Sequence, residues 1–145
     1  MKSKNKIFLS TIIILSLING YYFVVPYFKS SEKNLENETA ELSISSKELV
    51  NAYIINEGKS DILYAGKIIE VTGFIKEISF INNRNTIILN SNNETFGVIC
   101  DLNKNQEDKI KQLKEDQKIR VKGICKGFLK DVILLNCSID LTPNE

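Results

Sequence analysis

The sequence predicts an all-β domain: a barrel of five strands, with one helix before the first strand and another between the third and fourth. A single transmembrane helix precedes it. Three observations carry this reading. From Lys67 onward, apolar and polar residues alternate in five separate stretches, the period of a strand with one buried face. A polar, helix-like stretch divides the third of these from the fourth. Residues 7–28 contain no charged side chain.

That uncharged segment comes first in the chain. As a helix it would span about 33 Å, enough to cross the hydrocarbon core of a bilayer. Lys2, Lys4 and Lys6 precede it, which predicts an N-terminus inside and a C-terminal domain outside the cell membrane. The competing reading is a cleaved signal peptide with an apolar region from Ile7 to Ile18, giving a secreted or periplasmic domain. A cut after Gly20 would put bulky Ile18 where a small residue is preferred. Residues 1–28 are thus read as a cytoplasmic tip and anchor, 29–44 as a polar linker, and 45–145 as the folded domain.

Ser45-x-x-Glu48 is a capping box, and Leu49, Val50, Tyr53 and Ile54 follow at helical spacing. The helix is expected to end near Gly58. Ser60 and Asp61 could cap a further turn that Gly66 stops. In the first strand Ile69, Val71 and Ile75 alternate around Gly73, and then the apolar phase slips to Ile78 and Phe80. Such a slip beside a glycine predicts a bulge in a long, curling strand. Residues 82–85 are a turn, Thr86–Asn90 a short strand, and Ser91–Glu94 another turn. Thr95–Leu102 turns Phe96, Val98, Cys100 and Leu102 to one face.

Asn105 opens a polar helix to about Asp116, with Ile110 and Leu113 inward. Lys118–Cys125 then turns Ile119, Val121, Gly123 and Cys125 to one face, and 126–131 is a loop. Val132–Leu141 ends the domain with Ile133, Leu135, Cys137 and Ile139 expected inward. Five strands with a helix after the third match the OB-fold, a small Greek-key barrel. Closure explains the bend in the first strand, which must pair on both sides.

Several short motifs also occur in a fixed order: Tyr64-Ala-Gly66-Lys67, Val71-Thr-Gly73, Val98-Ile-Cys100, Val121-Lys-Gly123-Ile-Cys125 and Leu135-Asn-Cys137. Together they resemble the tRNA_anti-like family over roughly residues 49–141. The resemblance implies an OB domain of the exported or lipoprotein-like bacterial kind, and it implies no tRNA binding. The first cysteine is Cys100, so this chain has no lipidation cysteine behind its apolar segment.

Composition narrows the function. The 145 residues include no His, which excludes His-based acid–base catalysis, most zinc sites and His-ligated haem. The net charge of +1 hides an asymmetry: five lysines and only Glu32 lie in the first 33 residues, leaving 14 bases against 17 acids beyond them. A mildly acidic domain is a poor partner for a phosphate backbone. Glu70, Glu77, Glu107, Asp108, Glu115 and Asp116 read as solvated carboxylates. No catalytic set, metal site or cofactor site is expected.

Cys100, Cys125 and Cys137 all fall on the inward phase of their strands. Cys100–Cys137 and Cys125–Cys137 bridges are both open, as is a core of three thiols. OB domains bind ligands on the second and third strands and on the loops joining strands one to two and four to five. The outward residues there are Thr86, Ile88, Asn90, Thr95, Gly97 and Ile99, and the loops add Arg84, Lys126, Phe128 and Lys130. That strand face has no aromatic ring and no base, whereas single-strand binders need both. The expectation is therefore a non-enzymatic binding or adaptor module for an envelope protein or peptide, with Arg84, Ile88, Asn90, Ile99, Lys126, Phe128 and Lys130 as ligand residues. The alternative is a nucleic-acid or oligosaccharide binder, with nucleic acid disfavoured.

Overall fold

The computed structural model describes residues 10–22, 34–81 and 83–141. The chain divides into two compact units, Met1–Glu32 and Lys33–Glu145. In the first unit, residues 10–22 form an exposed helix, α1. The rest of the expected 7–28 segment lies outside the described residues. Among the described residues, no helix is long and apolar enough to cross a membrane.

The second unit contains β1 (Leu42–Ser45), α2 (Ser46–Ile55), α3 (Glu57–Tyr64), β2 (Ile68–Ile81), β3 (Arg84–Asn90), β4 (Gly97–Leu102), a 3-10 turn (Lys104–Gln106), α4 (Glu107–Ile110), β5 (Lys118–Phe128) and β6 (Val132–Asp140). The sheet order is β1-β2-β3-β4-β6-β5, and β2 also pairs with β5. β2 to β6 therefore close into a five-stranded barrel with a parallel β4–β6 pair, and β1 is added in parallel outside β2. This is the OB arrangement the order of elements predicts.

The capping box at Ser45 and Glu48 forms in both directions and opens α2. α2 stops earlier than expected, at Ile55. Asn56 accepts from the Lys59 backbone N–H at 2.9 Å and so opens α3, the role expected of Ser60. Gly66, at φ +80°, then turns the chain into β2.

β2 carries the predicted bulge. Its register with β3 shifts between Ile75 and Glu77, so Lys76 is the extra residue. The slipped phase holds at Ile78, which packs against the core, but Phe80 two residues on is 66% exposed rather than buried. The expected helix after β4 is shorter, and Asn103 rather than Asn105 caps its opening turn. Leu113 and Gln106 from this segment are buried, and the Gln106 side chain accepts from the Ile139 N–H at 2.9 Å. The opposite end of the barrel is sealed by Leu49, Val50 and Tyr53 of α2.

Two readings need correction. In β6, Val132 and Leu134 point inward, and Ile133 and Leu135 do not. The phase flips at Asn136, which takes φ +57°, and Cys137 and Ile139 then return to the core. The stretch 29–44 is also not a tether throughout. Leu35 is 1% exposed, Leu42–Ser45 is a strand, and Lys122 Nζ donates to the carbonyls of Glu36 and Glu38 at 3.3 and 2.7 Å. From Asn34 onward this polar stretch lies against the barrel.

Candidate binding face

The outer surface of β3, β4 and β6 follows from strand alternation. Ile88 pairs with Ile99, and Ile99 pairs with Ile133. All three are half-buried and stand outside the core cluster. They form a row of branched aliphatic side chains running across three strands. Ile133 enters this row only because β6 is out of the expected phase.

Polar groups frame the row at both ends. At one end, Thr86 pairs with Asp101 and Ser79 with Thr86. The Arg84 guanidinium is ion-paired with Asp101 Oδ2. Thr86 is only 6% exposed, so it offers little surface. Ser79 Oγ and Asp101 Oδ1 are buried without a hydrogen-bond partner, an unusual condition for polar atoms. At the other end Asn90 pairs with Gly97, and Asp131 Oδ1 accepts from the Gly97 N–H at 2.7 Å. A Cβ at position 97 would stand 2.9 Å from the Leu89 carbonyl oxygen, so only glycine allows this approach.

The loop from Ser91 to Phe96 is built by its own side chains. Asn93 Oδ1 accepts from the N–H groups of Thr95 and Phe96, and Ser91 Oγ donates to the Phe96 carbonyl. Thr95 is exposed on it. Two open clefts of about 350 and 210 Å³ flank this loop and share Asn92 and Asn93.

The expected ligand residues are only partly brought together. Ile88 and Ile99 are direct neighbours, and Asn90 and Arg84 lie at the two ends of the same strand. Lys126 and Lys130 are exposed near the end of β5 and in the loop after it, away from Arg84. Phe128 stacks on Tyr53 at 5.7 Å and meets Phe96 edge-on at 5.5 Å. Tyr64 adds to this cluster at 6.1 Å from Tyr53. Phe128 thus closes the barrel end.

A basic row was not foreseen. Lys118, Arg120, Lys122 and Lys126 alternate along β5. The period-two spacing in the sequence could have revealed it. Arg120 sits between Glu70 and Asp140 at 3.8 and 3.3 Å, and Lys122 is engaged by the 36–38 backbone. Beside them lies a cleft of about 430 Å³ lined by Glu36, Lys109, Lys122 and Asp140. Glu36 accepts from Lys109 at 2.7 Å and from Gln106 at 3.0 Å. Those bonds, with one from Asn34, hold its carboxyl at about 2.

Cys100, Cys125 and Cys137 are free thiols, all buried. Burial, with Cys100 beside it, pushes the Cys137 thiol up. Burial and the Cys125 thiol push the Tyr53 hydroxyl up as well. Among the described residues, no group of three or more His, Cys, Asp or Glu side chains could hold a metal ion.

A family profile described as tRNA_anti-like matches residues 1–139. No protein of curated function matches the sequence. Among solved structures, the "putative nucleic acid-binding lipoprotein" of Klebsiella pneumoniae subsp. pneumoniae MGH 78578 superposes with a TM-score of 0.54 at 16% identity, over 68% of this chain and 92% of that one. It shares the fold. The Stn1–Ten1 complex of S. pombe matches 52% of this chain and 60% of its own at 14% identity, with a TM-score of 0.37. Yeast Stn1 and Ten1 match 73% and 65% at 10% identity, with a TM-score of 0.41. Those two likenesses are too distant to carry an argument.

Proposed function

Because the chain belongs to the tRNA_anti-like family, we propose that its OB barrel is a non-catalytic binding module, and that its ligand is a protein or extended peptide held across β3, β4 and β6. The observation that carries this is the in-register row Ile88–Ile99–Ile133 on the outside of the barrel. Water-facing positions of an antiparallel sheet are ordinarily polar, and a contiguous aliphatic row there favours a protein partner.

The reading sets the domain outside the cell membrane, anchored by residues 7–28. The lysines at 2, 4 and 6 support that orientation. A mature N-terminus near Tyr21 would instead make the domain a released one.

Chemical crosslinking of the full-length chain in native membranes tests the face. The wild type is expected to give a discrete protein adduct that the Ile88→Glu/Ile99→Glu variant loses while staying folded. An adduct that survives both substitutions contradicts the reading.

A second reading, nucleic-acid binding, is favoured by the basic row on β5 and by the name of the Klebsiella neighbour. Two of that row's members are already engaged, by carboxylates at Arg120 and by backbone carbonyls at Lys122. Titration with a labelled oligonucleotide at two salt concentrations decides it. Tight binding that weakens steeply with salt, and that Lys126→Glu reduces, would establish the second reading over the first.

A further inference from the structure

The strand register sorts the three core cysteines. Cys100 lies on β4 and Cys137 on the adjacent, parallel β6. Leu102, two residues after Cys100 on the same inward face, is the register partner of Cys137. The irregularity at Asn136 returns Cys137 to the core, where it and Cys100 are both fully buried, one diagonal step apart across the β4–β6 pair. Gly123 of β5 makes the room: a Cβ there would stand 2.6 Å from the Cys137 sulfur. Cys125 is held elsewhere. Its register partner is Leu134, and its sulfur lies 3.6 Å from the Tyr53 hydroxyl at the α2 end of the barrel.

We propose that Cys100 and Cys137 are a disulfide-forming pair and that Cys125 remains a thiol. The two thiols give up two protons and two electrons as one S–S bond forms. A disulfide oxidant, such as oxidised glutathione, takes them and leaves as two thiols. Both sulfurs are inaccessible in the closed barrel, so the bond forms before β6, the last strand, completes it. The bond then ties together the two strands that carry Ile99 and Ile133. The pairing stands independently of the ligand reading.

The test unfolds the full-length chain in detergent and refolds it with reduced and oxidised glutathione. The product is acid-quenched, alkylated in denaturant and weighed, before and after reduction. One alkylated cysteine is expected before reduction and three after. Peptide mapping is expected to place the single label on Cys125 and to recover a linked pair containing Cys100 and Cys137. Three alkylated cysteines in the refolded chain would overturn the proposal. So would a linked pair containing Cys125, or glutathione left on Cys100 or Cys137.

Discussion

At Gly123 a methyl group has nowhere to go. It would meet the Cys137 sulfur at 2.6 Å and Leu134 Cβ at 3.1 Å. Gly123→Ala is therefore expected to cost about 1–3 kcal/mol, read as a lower urea midpoint. Asn136 presents the opposite case, a side chain tolerated at φ +57°. Its Oδ1 also accepts from the Asn103 amide at 2.7 Å. Asn136→Gly keeps the left-handed backbone unstrained, whereas Asn136→Ala adds about 1 kcal/mol of backbone strain. The alanine variant should melt below the glycine variant; the reverse order would refute this account of the β6 turn-over. Glu36 gives a pH signature. Its carboxyl sits at about 2, against 4.5 in an ordinary setting. A depressed carboxyl stabilises the fold above the ordinary value, and the contribution fades as pH falls toward the folded one. Acid unfolding of Glu36→Gln should therefore be flatter than wild type between about pH 4.5 and pH 2. The side chain is about a third exposed, so solvent screening keeps the effect small.

At the scale of elements, the parts legible in the sequence were those with a strong period or a fixed cap. The Ser45–Glu48 box, the alternation of β4 and β5, and the bulge of β2 all rest on such signals. β6 was misread because Ile133, Leu135, Cys137 and Ile139 make an unbroken alternation in sequence. One left-handed Asn divides it in the structure. The segment 34–44 was misread because its apolar residues, Leu35, Leu42 and Ile44, are sparse. Its attachment depends on Lys109 and Lys122 far along the chain. From sequence Phe128 reads as a ligand residue of a loop and not as part of an aromatic cluster, since Tyr53, Tyr64 and Phe96 come from three separate segments. Tyr53→Ala removes the ring on which Phe128 stacks and is expected to cost about 3–5 kcal/mol. Tyr53→Phe, which keeps the ring and loses only the hydroxyl with its contacts to Cys125 and Asp61, should cost far less. Equal losses in thermal melts would show that the hydroxyl, not the ring, seals that end.

At the scale of the whole molecule, a closed barrel leaves few unpaired sheet edges, and its specific surface must lie on strand faces and loops. On β3, β4 and β6 that surface is aliphatic in the middle and polar at the ends. On β5 it is basic, with Arg120 already engaged by Glu70 and Asp140 and Lys122 by the 36–38 segment. That difference between the two faces is the ground on which a protein ligand is proposed over a nucleic acid. Two of the three members of the candidate face, Ile88 and Ile99, were legible from alternation alone. Its third member awaited the β6 phase, and the unpartnered Asp101 oxygen awaited three-dimensional packing. The most direct measurement puts a photoreactive side chain at position 99 of the full-length chain in native membranes, with the same probe at position 126 for comparison. The account predicts a discrete protein adduct from position 99 and none from position 126. Adducts to nucleic acid, or the same adducts from both positions, would contradict it.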